Sequence, residues 1–351
     1  AIAGGPHVDT NADEALEYGF DIAVIGEAEE TILDIVAYAA HTKKLSAING
    51  IAYKENGAVT VTSPRGLPKE LDNIPIIKRS LIDFTAYDPD WYNPQRKDRV
   101  INLTSSRGCV YSCTFCGNII RGRSVRYRSV ENVLQEMRQA WEEYGVDNFV
   151  FVDDFFTLNR NRLIEFCTKI KADRSFKPKW RCGTRANQVD RELLTMMRDA
   201  GCSYICFGLE SANEQTLKKI KKEMDPNTIL GVIELMKEIG IKCQINYMWG
   251  FPWEDEAMIE NTLEFMRKTK KDIYRFSESG VLVPLPGTEI YNEFHKQYKF
   301  TKWWIHRIKT WEYKPFPFFR ETRYFSNIAD LRRLNYNFFN YSPRIRKAII
   351  K

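Results

Sequence analysis

At 351 residues the chain has room for two to three domains and a substantial core. Its 44% hydrophobic and 28% charged residues exclude a disordered, collagenous or coiled-coil chain, and no apolar run approaches the roughly 18 residues of a membrane-spanning helix. The net charge of +6 is unevenly placed: Thr301 to Lys351 carries 12 Lys/Arg against 3 Asp/Glu, while the first 300 residues sum to −3, which excludes general nucleic-acid binding by the whole chain.

The opening Ala1-Ile2-Ala3-Gly4-Gly5 has neither an initiator Met nor a basic-then-apolar leader. The expectation is the remainder of a longer protein, without a signal peptide and cytoplasmic. Residues 1–65 read as strand, helix, strand, helix, hairpin. Asp21–Ile25 is a buried-type strand, and Glu30–Ala40 is helical by the spacing of Ile32, Ile35, Val36 and Ala39. Ile51–Tyr53 is expected to pair with Val59–Val61 across an Asn56-Gly57 turn. Residues 66–98, with Pro68, Pro75, Pro89 and Pro94, read as an extended connector.

From Val100 onward strands and helices alternate. Strands are expected at Val100–Ser105, Asn148–Val152, Lys179–Gly183, Ser203–Leu209, Lys242–Met248 and Gly280–Pro284. Ser129, Asp190 and Asp225-Pro226 open the intervening helices, and Gly145, Gly201 and Gly240 close them. Six strands with helical crossovers predict a parallel sheet curling toward a barrel, with its chemistry at the carboxyl ends of the strands.

Arg107-Gly108-Cys109-Val110-Tyr111-Ser112-Cys113-Thr114-Phe115-Cys116 follows the first of these strands. Three thiolates at spacings of four and three residues can surround one iron–sulfur cubane and leave one iron open, since a cubane ordinarily takes four cysteines. The plainer account is a zinc knuckle, which would want a fourth ligand in the loop. Cys167, Cys182, Cys202, Cys206 and Cys243 have apolar neighbours and are expected to be core cysteines.

The loop resembles the signature of the radical S-adenosylmethionine superfamily, Cys-x-x-x-Cys-x-aromatic-Cys, over about Val100 to Tyr291. The resemblance implies Cys109, Cys113 and Cys116 as ligands of a 4Fe-4S cluster, with Phe115 beside the adenine of S-adenosylmethionine. It also implies a fold of the α/β class, a partial (βα)6 barrel.

The other strand ends fit this frame. Asp153 and Asp154 can accept from the methionine amino group, although the family's Gly-Gly-Glu is replaced and either acid can serve. Arg185 can clamp the carboxylate through two parallel hydrogen bonds. Glu210 and Ser211 suit the ribose hydroxyls, with a helix cap as the plainer account of Ser211. Gly250 and Pro284 belong to segments that wall the adenine.

Residues 1–65 resemble the C-terminal part of the Rossmann-like cobalamin-binding domain that precedes the barrel in one branch of the superfamily. Gly4-Gly5-Pro6-His7 and Val24-Ile25-Gly26-Glu27 carry that resemblance. It implies Gly4, Gly5, Gly26 and Glu27 as part of an incomplete cobalamin site, with His7 not a cobalt ligand. The expected boundaries are 1–65, a connector at 66–98, the barrel at 99–291, and an aromatic and basic region at 292–351.

That last region holds 13 aromatics among its 12 basic residues after position 300. A cap over the barrel ranks first, interfacial membrane attachment second and nucleic acid last. The expected activity is methyl transfer to an unactivated carbon, acting on a small-molecule or lipid substrate with a low-potential donor such as ferredoxin or flavodoxin. The alternatives are a radical cyclase or rearrangement enzyme, and a non-enzymatic zinc module contacting RNA.

Overall fold

The computed structural model describes residues 1–81, 99–118, 122–276 and 282–297. Its first unit is a four-stranded sheet in the order β1-β2-β3-β4. β1 (Ile2–Ala3) and β2 (Ile22–Val24) run parallel, separated by helix α1 (Ala12–Glu17), and β2 is followed by α2 (Glu29–Ala39). β3 (Ile51–Glu55) and β4 (Ala58–Val61) form the expected hairpin, with Tyr53 opposite Thr60. Asn56 and Gly57 both take positive φ, 51° and 82°, as the favoured two-residue turn demands.

One expectation is corrected in α2. Of Ile32, Ile35, Val36 and Ala39, only Ile35 is buried, while Ile32 and Val36 are 41% and 60% exposed. Ile35 packs against Ile22, Val24 and Ile51, while α1 packs Ala15 and Leu16 with Ala23 and Ala52 in a separate cluster.

The second unit is a six-stranded, fully parallel sheet: β5 (Val100–Leu103), β8 (Asn148–Phe151), β9 (Lys179–Thr184), β10 (Cys202–Glu210), β11 (Lys242–Tyr247) and β12 (Arg275–Phe276). Spatial order equals chain order, which is how repeated right-handed crossovers build a partial barrel. A short antiparallel ribbon of β6 (Ser106–Arg107) and β7 (Arg126–Tyr127) interrupts the first crossover. The crossover helices are α3 (Val130–Tyr144), α4 (Arg160–Ala172), α5 (Arg191–Asp199), α6 (Glu214–Lys219), α7 (Pro226–Ile239) and α8 (Glu256–Thr269), and α9 (Glu289–Phe294) follows β12.

The helix starts are where the caps place them. Ser129 Oγ accepts from Asn132 N at 3.1 Å and Asp190 from Leu193 N at 2.8 Å. Pro226 occupies the first turn of α7 behind Asp225. Gly145 and Gly240 end α3 and α7 in the left-handed conformation.

The helices bury one face of the sheet. Phe149, Trp180, Ile205, Phe207, Leu209 and Ile245 are fully buried against them, each large apolar side chain contributing about 1.5–3 kcal/mol. Trp180 also donates its indole N–H to Ala200 O at 2.8 Å.

The sixth strand is a second correction. The strand paired with β11 is Arg275–Phe276, with Arg275 opposite Gln244, and not Gly280–Pro284. Gly280 and Val281 lie outside the described residues, and Leu282 N donates to Trp249 O at 2.7 Å as part of the barrel rim. An apolar run marks burial, and at Leu282 the buried place is the rim.

Residues 66–81 lie against α3 through Ser129 N to Asp72 Oδ1 (2.8 Å) and Arg79 Nη2 to Glu136 Oε1 (2.7 Å). Pro89, Pro94 and the aromatic–basic region beyond residue 297 fall outside the described residues.

Candidate active site

The cysteine loop opens at Gly108, between the two strands of the ribbon. Gly108 takes φ +95°, and a Cβ there would lie 2.1 Å from Ser124 O, so only glycine lets the ribbon close. Its N–H donates to Asp154 Oδ2 at 3.0 Å. Thr114 N bonds to Ile220 O at 3.1 Å, and Ile290 N bonds to Thr114 O at the same distance, so the loop is held from two sides.

Cys113 is buried and Cys109 and Cys116 are half-buried. Burial pushes the Cys109 and Cys116 thiols up, and Cys113 and Asp154 add to the rise. Arg185 pulls Cys109 the other way. Arg185 is itself buried: Nη2 donates to Cys113 Sγ at 3.0 Å, Nη1 donates to Lys222 O at 2.5 Å, and its guanidinium lies 3.3 Å from the centre of the Tyr111 ring.

Among the described residues no three His, Cys, Asp or Glu side chains converge on one point, as a single zinc ion requires. A cubane takes its thiolates at separate irons, and three cysteines spread along one loop beside a buried cation suit that donor set.

Three sequence-expected residues are committed elsewhere, Arg185 first: its two Nη atoms already serve Cys113 Sγ and Lys222 O, so the expected two-pronged clamp on a carboxylate is not formed. Asp153 accepts from Ser105 N (2.7 Å), Ser105 Oγ (2.6 Å) and Ser106 Oγ (2.6 Å), and is buried. Burial pushes its carboxyl up and the serines pull it back. It ties the end of β8 to the end of β5 and is not placed to receive an ammonium group. Asp154, the next residue, is exposed and reaches the cysteine loop. Ser211 is buried, bonded to Glu254 Oε1 and Thr262 Oγ1, each at 3.2 Å. It belongs to the barrel wall and not to a ribose site.

Glu210 does reach the site. It adopts φ +70°, uncommon for a non-glycine residue, and its carboxylate meets Lys222 Nζ at 2.9 Å. A Cβ on Gly208 would fall 2.4 Å from that carboxylate, so the pair depends on a glycine beneath it. Lys222 is the functional residue that sequence reasoning missed. Its ammonium also lies 5.9 Å from the centre of the Phe115 ring. Phe115 meets Phe251 edge-on at 6.4 Å, Gly250 beside it takes φ +85°, and Pro284 is buried on the same rim.

The front unit meets this site directly. Gly5, Gly26 and Glu27 line a cleft of about 390 Å³ together with Gly108, Arg126 and Asp154. Gly4 lies behind it, against Val24. Glu27 is engaged by Arg107 Nη1 at 2.6 Å and by Arg126, while Arg107 Nη2 reaches Glu29 at 2.5 Å. Burial pushes the Glu27 carboxyl up, but the two arginines outweigh it and hold it below its usual range. Its carboxylate therefore serves first as a tether to the cysteine ribbon. His7 pairs with Glu14 at 3.0 Å. Cys206 is also corrected: it faces Asn246 (3.0 Å) and Gln244 (3.4 Å), not apolar neighbours.

Residues 103–266 match the sequence profile of the Radical SAM superfamily. An uncharacterized methyltransferase of Pyrococcus horikoshii is 31% identical over 293 residues, 83% of this chain and 62% of the relative. The anaerobic magnesium-protoporphyrin IX monomethyl ester cyclase of Cereibacter sphaeroides is 28% identical over 313 residues, covering 84% of this chain and 48% of that enzyme. The chain thus spans less than two thirds of the length of either relative. In fold it is similar to the methyltransferase TsrM from Kitasatospora setae with cobalamin and a [4Fe-4S] cluster bound, at TM-score 0.68 and 17% identity over 84% of this chain and 57% of that one. It is also similar to the cobalamin-dependent enzyme OxsB, at TM-score 0.63 and 21% identity over 85% of this chain and 43% of that one.

Proposed function

We propose that the chain, whose residues 103–266 match the Radical SAM superfamily profile, is a radical SAM protein and part of a cobalamin-dependent methyltransferase acting on an unactivated carbon. The observation that carries the reading is the cysteine loop at the carboxyl end of β5, with Arg185 Nη2 3.0 Å from Cys113 Sγ. When bound, a 4Fe-4S cluster supplies the electron that splits the sulfonium of S-adenosylmethionine to a 5′-deoxyadenosyl radical, and cobalamin supplies the methyl group.

The chain's own residues then have distinct tasks. Cys109, Cys113 and Cys116 hold the cluster, and Arg185 braces the loop by donating to the Cys113 sulfur. Asp154 receives the methionine ammonium. Glu210, oriented by Lys222, accepts from the ribose hydroxyls. Phe115, Gly250 and Pro284 exclude water from the adenine. Gly4, Gly5 and Gly26 lie at the carboxyl ends of β1 and β2, where an open α/β sheet takes its ligand. These residues account for only part of such a pocket.

A second reading, oxidative ring formation without methyl transfer, is favoured by the similarity to the magnesium-protoporphyrin ester cyclase. Methyl-labelled S-adenosylmethionine separates the two. Label in product, with S-adenosylhomocysteine formed, supports methyl transfer. Deoxyadenosine with no labelled product supports cyclisation or rearrangement. The substrate is a small molecule or lipid, and the electron donor a ferredoxin or flavodoxin.

A further inference from the structure

Residues 68–79 lead from the front unit toward the barrel, and the reading above gives them no task. Only Leu71 and Arg79 of that segment are buried, at 2% and 6% exposure. Between them Ile74, Pro75, Ile76 and Ile77 span a cavity of about 190 Å³, with Leu103 and Thr104 at the end of β5 across from them. An arginine is an uncommon anchor, because burying its charge costs desolvation that an apolar side chain avoids. Buried ion pairs are weak evidence for stability, and their best-attested use is to select one geometry among several.

Among the described residues, the segment's polar contacts with the barrel all fall on one stretch. Pro68 O accepts from Arg126 Nη1 and Asp72 Oδ1 accepts from Ser129 N, each at 2.8 Å. Arg79 Nη2 donates to Glu136 Oε1 at 2.7 Å, while Glu136 Oε2 accepts from Arg128 Nη1 at 2.6 Å. Arg126 belongs to β7, and Arg128 and Ser129 follow it directly, so this is the strand by which the cysteine ribbon returns to α3. Arg128 Nη1 also donates to Thr104 O at 2.9 Å, and Arg128 N donates to Ser105 O at 3.0 Å. Through Thr104 and Ser105 the chain leaves β5 for the ribbon, and Cys109 lies four residues beyond. Arg128 therefore ties the root of the ribbon together, which its planar fork can do only while its plane is held. Asn132 Oδ1 holds that plane at Nε, 2.7 Å away, and Glu136 holds it at Nη1. Glu136 is in turn held by Arg79. Arg126 is shared between Pro68 O and Glu27, so the segment and the front unit grip the same strand.

We propose that residues 68–79 act as a strap that positions the cysteine loop, with Arg79 as its positioning residue, acting through Glu136 on Arg128. The proposal deepens the reading of that loop as the cluster site and rests on it only for the second of its two measurements.

The first measurement is amide hydrogen exchange on the full chain without iron, for wild type, Arg79→Gln, Arg79→Lys and the core truncation Leu263→Ala. In Arg79→Gln, peptides covering residues 104–109 and 124–130 should exchange about tenfold faster or more, the opening expected when one charge-assisted hydrogen bond is lost. Peptides from β10 and β11 should keep their wild-type rates. Arg79→Lys keeps a cation beside Glu136 and should recover part of the protection. Leu263 is buried in the core and does not touch Arg79, Glu136 or Arg128, so its truncation should not single out the ribbon. Unchanged ribbon exchange in Arg79→Gln, or a rise spread evenly over the barrel, overturns the proposal. The second measurement is iron release to a ferrous chelator after anaerobic reconstitution with iron and sulfide. Release should be faster in Arg79→Gln by a similar factor, and equal rates also overturn the proposal. A wild type that takes up no iron while the exchange pattern holds would sink the cluster reading and leave the strap in place. Failure of the one is thereby distinguished from failure of the other.

Discussion

Glu254 offers a sharp test of how the barrel wall is built. Its Oε1 accepts from Ser211 (3.2 Å) and Thr216 (3.0 Å), while Oε2 is buried and without a hydrogen-bond partner. Burial pushes the carboxyl from 4.5 up to about 7. The folded chain therefore keeps this proton up to about pH 7, whereas the unfolded chain releases it near 4.5. Between those values the unfolded state binds fewer protons, so stability falls as pH rises. The contribution is fully present below 4.5 and fully lost above 7. At 1.36 kcal/mol per unit, the loss across that window is about 3 kcal/mol. Glu254→Gln keeps an acceptor for Ser211 and Thr216 and cannot ionise. It should match wild type near pH 4.5 and exceed it by about 3 kcal/mol at pH 8. Urea unfolding of both chains at several pH values, under reducing conditions, reads the difference directly. A difference that is flat with pH, or a wild type that gains relative stability as pH rises, refutes the reasoning.

Four further outcomes follow from the geometry. Glu27→Gln removes the carboxylate that holds Arg107 and Arg126 and should lower the urea unfolding free energy by about 2 kcal/mol, less than a fully buried pair because Arg107 is partly exposed. Gly108→Ala sets a Cβ 2.1 Å from Ser124 O at φ +95°; the ribbon should open and reconstituted iron per chain should fall, while far-ultraviolet circular dichroism stays near wild type. Asp153→Ala strips the acceptor of three hydrogen bonds and should destabilise the fold by several kcal/mol. Asp154→Ala should instead leave stability nearly unchanged and raise the KM for S-adenosylmethionine.

What was legible in the sequence was what local chemistry dictates. Caps at Ser129, Asp190 and Asp225, the Asn56-Gly57 turn and the alternation of strand and helix follow from backbone hydrogen bonding near each residue. The cysteine loop was legible because its spacing has few other uses. Tertiary partners were not. Asp153 and Asp154 are adjacent and chemically identical, and only the serines at the end of β5 commit the first of them. Lys222 sits in a run with Lys218, Lys219 and Lys221 that reads as a solvated helix end, and only the fold turns it onto Glu210. Arg275, in a two-residue strand, carries no periodicity to announce it.

The central claim is that Cys109, Cys113 and Cys116 hold a cluster that cleaves S-adenosylmethionine. The direct measurement is anaerobic reconstitution with iron and sulfide, followed by assay of 5′-deoxyadenosine under a strong reductant, for wild type and Cys113→Ala. The account predicts about four irons and four sulfides per wild-type chain, with deoxyadenosine formed by wild type alone. A wild type that takes up no cluster, or cleavage that persists in Cys113→Ala, would contradict it.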